Sequence, residues 1–226
     1  MTTIESLRIE TPATLRELAL ERLRSAIVAG TFQPGGRLVE RTLCEQLGVS
    51  RSVIREVIRH LETEGLVEMG KQGPIVATLD WDDARQIYDI RALLESAAVA
   101  DCAARADAAT KDRLAAILDD LDRNAAGHDP STMLAATIEF YALIFASSGH
   151  DVAWEIVARL NSRISRLRVM TLGTANRTVS GPARLREIYD AIARNDPEGA
   201  AAACRQHIAE AAKIAESILS ESQSLR

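Results

Sequence analysis

VSRSVIREVIRHLETEGLV, residues Val49 to Val67, is the stretch on which the reading of this chain turns. Ser50 is an N-cap residue type, with a side-chain oxygen able to accept from an otherwise unpaired amide at a helix start. Val53, Ile54, Val57, Ile58 and Leu61 then fall on one stripe at helical spacing. Arg51, Ser52, Arg55 and Arg59 occupy the opposite face. Gly65 can take the left-handed conformation that ends a helix, with Leu66 packing back beneath it. Upstream, Arg41–Leu47 reads as a short helix stopped by Gly48. Two helices joined by a turn of three or four residues make a helix-turn-helix, whose second helix enters the major groove of DNA. The stretch therefore implies DNA binding, with Arg and Ser at the recognition helix N-terminus facing bases and phosphates.

Outward from this motif the N-terminal part completes a winged helix. Residues 1–10 lack a pattern and read as a flexible arm. The spacing predicts a first helix over Thr11–Ala29, started by Thr11-Pro12 and stopped by Gly30, with Leu15, Leu18, Ala19, Leu23, Ile27 and Val28 inward. A loop with the turn signal Pro34-Gly35 follows. Leu66–Met69 and Ile75–Leu79 are β-prone runs separated by Gly70–Pro74. They predict a small hairpin wing with Lys71 at its tip.

Beyond Leu79 the pattern is helical throughout. Asp80 or Asp82 caps a helix running to about Ala106, and further helices fit 110–126, 131–148, 151–172, 182–195 and 197–222. Gly173–Gly181 is the sizeable loop. The fold class is mainly α: an N-terminal winged helix-turn-helix (11–78) with a small β-hairpin wing, then an all-α bundle of about six helices (79–226). A connection of very few residues, Ala77–Asp80, joins the two parts.

Composition agrees. Among 226 residues 47% are apolar, 26% charged and only 4% aromatic, a globular balance that favours close-packed helices over a sheet sandwich. No apolar run approaches the ~20 residues needed to cross a bilayer, and the N-terminus lacks the form of a secretory signal. Cys44, Cys102 and Cys204 are odd in number and widely spaced, which argues against disulfides or a zinc cluster and for a reducing cytoplasm. The net charge of −5 is unevenly placed. Residues 1–78 hold 10 Lys and Arg against 10 Asp and Glu, whereas residues 79–226 hold 17 against 22. DNA binding must then rest on where the arginines point rather than on bulk attraction.

The segment PGGRLVERTLCEQLGVSRSVIREVIRHLETEGLVEMGKQGPIV, Pro34–Val76, resembles the winged helix of the GntR family of bacterial transcription regulators, in particular its FadR branch. From about Trp81 onward the chain is similar to that branch's all-helical effector-binding domain, called FCD. The resemblance there is carried by IRALLE (Ile90–Glu95), YDAIARND (Tyr189–Asp196) and CRQHI (Cys204–Ile208). It implies DNA contacts from Arg41, Arg51 and Arg55, phosphate contacts from Ser50 and Ser52, and a minor-groove wing tip at Lys71, Gln72 and Gly73. Arginine suits this role because its guanidinium pairs with O6 and N7 of guanine. The competing assignment ties Arg51 and Arg55 to Glu40, Glu56 or Glu62 on a solvated face.

The resemblance also implies a metal site of one Asp and three His holding an acidic ligand, and here the sequence departs from it. Thr137 and Tyr141 stand where the first two ligands belong, and Leu185 where the third does. His207 alone keeps its type. Neither Thr nor neutral Tyr is a usual ligand and Leu cannot bind, so no metal or other cofactor is expected. In its place we expect a pocket for a small organic effector. Thr137, Tyr141 and His207 would supply its polar contacts, with Leu185, Phe140, Leu143 and Trp154 as apolar neighbours. Arg91 is a candidate carboxylate anchor, or else the i, i+4 partner of Glu95. One of Arg163, Arg166 and Arg168 can also face inward, and periodicity does not choose. The expected partners are palindromic operator DNA, the effector and a second copy of the chain, with no membrane. An enzyme finds no nucleophile–base pair or phosphate loop to support it. A purely architectural DNA-binding protein would have no use for the second domain.

Overall fold

The computed structural model describes residues 13–123, 130–172 and 181–224. The expected arm at 1–10, the Thr11-Pro12 start signal, most of the loop after Gly173, and His128 lie outside them. The chain divides into two compact units between Ala77 and Thr78.

The first unit contains α1 (Leu15–Val28), α2 (Glu40–Leu47), α3 (Arg51–Thr63) and the antiparallel strands β1 (Val67–Gly70) and β2 (Gly73–Val76). α1 starts at Leu15, because Thr14 and Glu17 form a reciprocal cap. Thr14 Oγ1 accepts from the Glu17 amide at 3.2 Å and Glu17 Oε2 from the Thr14 amide at 2.8 Å. Its buried face is Ala19, Leu20, Leu23 and Ile27; Leu15 and Leu18, expected inside, are 66% and 52% exposed. α2 ends at Gly48 with φ 67°, leaving a three-residue turn into α3. α3 ends in a Schellman motif: the Leu66 amide reaches the Leu61 carbonyl at 2.9 Å and the Gly65 amide that of Glu62 at 3.0 Å, with Gly65 at φ 74°. Ile54, Val57, Ile58 and Leu61 are buried on α3 and pack with Leu23, Ile27, Leu38 and Leu43.

The wing is shorter and tighter than the β-prone runs suggested. Gly70 and Gly73 face each other as the closing pair, so Lys71-Gln72 alone make the turn, and β2 ends at Val76 rather than Leu79. A Cβ on Gly70 would lie 3.3 Å from the Gly73 carbonyl oxygen. The segment read as a plain loop at Gly35–Leu38 pairs with β2: the Leu38 amide donates to Pro74 O and the Val76 amide to Gly36 O, each at 2.9 Å.

The second unit is all helical, and among the described residues it has seven helices: α4 (Trp81–Arg105), α5 (Ala108–Arg123), α6 (Pro130–Ser148), α7 (Asp151–Arg163), α8 (Ser165–Leu172), α9 (Gly181–Ala193) and α10 (Pro197–Ser224). Asp80 caps α4 by accepting from the Asp83 amide at 2.8 Å. α4 and α10 lie along one another and α6 and α9 pack onto them. The core between them is built from Ile87, Val99, Phe140, Ile144, Phe145, Ile188, Cys204 and Ile208. The continuous helix expected over 151–172 is broken at Ile164, whose φ of −103° and ψ of 9° are not helical. Ile164 is fully buried, and its carbonyl restarts the ladder by accepting from the Arg168 amide at 2.8 Å. No Pro or Gly marks this break in the sequence.

Candidate nucleic-acid interface and interior cavity

In the first unit the apolar side of α3 is spent on the core, which leaves its first turn in solvent. Ser50 Oγ caps the helix by accepting from the Val53 amide at 3.4 Å and is hydrogen-bonded to Ser52 Oγ at 2.8 Å. Arg51, Ser52 and Arg55 are exposed. Among the described residues nothing pairs with Arg51. Arg55 Nε lies 3.1 and 3.2 Å from the two carboxylate oxygens of Glu40 at the start of α2, the solvated pair that the competing assignment anticipated. Arg41 is 79% exposed with a 3.4 Å contact to Glu45. The fold thus brings Arg41, Ser50, Arg51, Ser52 and Arg55 onto the two helices of the motif. Lys71 and Gln72 are exposed at the wing turn, where Gly73 has φ 113°. His60 is taken by Glu64 at 3.1 Å, and Glu64 also binds Arg24 of α1 at 2.6 Å.

In the second unit four of the five residues singled out for an effector line one small cavity: Arg91 (α4), Thr137 (α6), Leu185 (α9) and His207 (α10). Leu121, Met133, Arg168, Thr171, Leu172 and Ala211 join them, together with Gly181 and Pro182 at the start of α9. Helical spacing explains the pairs: Met133 and Thr137, and His207 and Ala211, are each four apart. The free volume is about 20 Å³, room for a water molecule. Any larger guest requires the walls to move.

Tyr141 does not line this cavity. It is buried with its hydroxyl 3.6 Å from Cys204 Sγ and its ring edge-on to Phe140, and burial holds its pKa well above the ordinary value. Burial likewise pushes the Cys204 thiol up to about 12. Phe140, Leu143 and Trp154, expected as apolar neighbours, belong to the surrounding core rather than the lining.

Three charged side chains are buried together here. Arg91, 2% exposed, bonds Glu95, 0% exposed, through Nε at 2.7 Å and a second nitrogen at 3.3 Å. Burial works against the Arg91 cation, but the charge and hydrogen bonds of Glu95 prevail and hold its pKa above the ordinary value. Arg168 is 6% exposed and its Nη1 has no partner. Burial, and then the nearby Arg91 charge, push its pKa down to about 10. Of the three candidates Arg168 is the inward one; Arg163 turns outward, 3.4 Å from Asp83.

The donor set does not fit the metal of the FCD pattern. Thr137 Oγ1 donates to the Met133 carbonyl at 2.8 Å, Tyr141 is turned to Cys204, and Leu185 offers no ligand atom. Among the described residues no group of three or more His, Cys, Asp or Glu converges. His150, at the start of α7, is bonded to Asp101 at 2.8 Å.

A winged helix with arginines on its recognition helix, followed by a helical unit with a polar cavity, is the layout of a DNA-binding transcriptional regulator. The chain belongs to the GntR family of bacterial regulatory proteins and carries an FCD domain: the gntR family model matches residues 15–76 and the FCD domain model residues 86–210. It is similar to the HTH-type transcriptional regulator YdhC of Bacillus subtilis, 28% identical over 189 residues, covering 83% of each chain. It is also similar to the gluconate operon transcriptional repressor of Bacillus subtilis, 36% identical over 74 residues, or 33% of this chain and 30% of that protein. A crystal structure of a GntR regulator from Rhodococcus sp. RHA1 superposes with a TM-score of 0.73 at 27% identity, covering 89% of this chain and 97% of that one. Among the described residues no helix is long and apolar enough to cross a membrane.

Proposed function

We propose that this regulator is a cytoplasmic, homodimeric repressor that binds a palindromic operator and releases it when a small organic effector enters the FCD cavity. In this reading residues 11–78 bind DNA and residues 79–226 bind the effector and the second copy. Arg51 and Arg55 read base edges, Arg41 and the Ser50 and Ser52 hydroxyls hold phosphates, and Lys71, Gln72 and Gly73 reach the minor groove. One winged helix reads a short half-site, so two related by a two-fold axis suit a palindrome. The observation that carries the reading is the exposed first turn of α3. A solvated face needs no arginine left unpaired beside a serine cap, whereas a helix N-terminus with free N–H groups is an anion site by construction.

In the second unit, Arg91, Thr137, Leu185 and His207 serve the effector, and Tyr141 acts from behind the wall. The repressor of a gluconate operon matches over too short a stretch to lend its ligand, and is used here only for the sign of regulation. The chain carries out no catalysis. Selection from a random DNA pool with the full-length protein tests the proposal. Recovery of a two-fold symmetric site is expected; no enriched sequence at physiological salt would overturn it.

A further inference from the structure

The cavity holds more positive charge than it neutralises. The Arg91 charge is cancelled at 2.7 Å by Glu95. Arg168 lines the same cavity, 6% exposed, with Nη1 unpartnered. An unpaired buried guanidinium is among the more costly things a core can contain, and pairing it would relieve that cost. The hydroxyls beside it do not help, since Thr137 donates to Met133 O and Thr171 to Arg168 O, each at 2.8 Å. Their hydrogens are engaged, and they offer lone pairs only.

Resting on the effector reading above, we infer that Arg168 is the anchor of the cavity and that its ligand is a small monocarboxylate. The arrangement sets both the charge and the chemistry of the guest. One uncompensated cation matches one negative charge, and a planar guanidinium takes a carboxylate through paired N–H donors. A dianion would bring a second charge with no cation to meet it. A divalent metal ion would be repelled by the same Arg168. Leu121, Leu185 and Ala211 give the rest of the ligand an apolar wall. The Thr137 and Thr171 oxygens can accept from a hydroxyl on the acid. Arg91, which sequence reasoning offered as the carboxylate anchor, instead keeps Glu95 neutralised.

The test uses the full-length protein in EDTA, with sodium acetate as probe, acetamide as its neutral isostere, and sodium chloride matching ionic strength. Acetate should raise the melting temperature and acetamide should not. Arg168→Met, which removes the buried charge at similar volume, should melt higher than the wild type without acetate and lose at least about tenfold in acetate affinity. Arg168→Lys should retain part of the response. An Arg168→Met protein that is less stable or unfolded would show that the guanidinium is already satisfied, and would overturn the inference. So would equal stabilisation by acetamide, a larger response to inorganic phosphate, or an acetate response that EDTA abolishes and zinc restores. Operator release by a neutral molecule in this cavity would refute the carboxylate while leaving the effector reading intact. Acetate binding with no compound ever altering operator affinity would do the reverse.

Discussion

Glu40 competes with DNA for Arg55, and removing it should tighten operator binding. The pair spans 3.1 Å between side chains 62% and 33% exposed, so solvent screens it. Such pairs contribute ~0.2–1 kcal/mol, and a base contact by the same guanidinium ~1–3 kcal/mol. DNA therefore wins the exchange, at a penalty equal to the pair. Glu40→Gln removes that penalty, giving a gain of about 1.4- to 5-fold for one half-site. Two half-sites would compound this to about 2- to 30-fold. Glu40 is also the acid in the first turn of α2, whose N-cap Val39 makes no side-chain bond. The variant should therefore lose ~0.3–1 kcal/mol of helix stabilisation while it gains affinity. Arg55→Ala should do the opposite to binding, weakening it by about 5- to 150-fold per half-site. Fluorescence anisotropy on a selected operator at fixed salt reads both, with chemical denaturation alongside. Unchanged or weaker binding by Glu40→Gln, with Arg55→Ala also unchanged, would mean that the pair only braces α2 against α3.

Three further outcomes follow from the same geometry. Lys71→Ala should weaken binding about evenly across DNA sequences and lower the salt slope by about one, because the wing-tip lysine meets phosphates rather than bases. Glu95→Gln should cost about 3–5 kcal/mol in denaturant unfolding, since it strands the buried Arg91 charge close to Arg168. Sedimentation at micromolar concentration should give about twice the 24.6 kDa chain mass; a monomer both free and on DNA would contradict the dimer.

The recognition helix was legible because its two faces share no residue type: aliphatic residues on one side, Arg and Ser on the other, with Ser50 and Gly65 as unambiguous ends. α1 was harder. Leu15, Leu18, Leu20 and Leu23 offer two overlapping stripes, and only packing against α3 selects the one through Leu20 and Leu23. The break at Ile164 has no local cause in the sequence, so it went unseen, although α8 and Arg168 depend on it. α6 is apolar almost all the way round, which let Thr137 and Tyr141 both read as inward. They do face inward, but one turn apart, and that turn separates the cavity from Cys204. Periodicity placed Arg91 and Arg168 on inner faces without revealing that Glu95 neutralises only the first. Partner identity within a core lies beyond any period in one chain.

The most direct test of the regulator's central claim is operator binding by Arg51→Ala, Arg55→Ala double-variant protein, checked for native circular dichroism and an unchanged unfolding midpoint. Both side chains lie on the exposed face of α3, so the fold should survive. Two lost contacts at ~1–3 kcal/mol each predict a fall in operator affinity of about 30-fold or more, with weak non-specific binding remaining. A folded double variant that binds the selected operator as tightly as wild type would contradict the account.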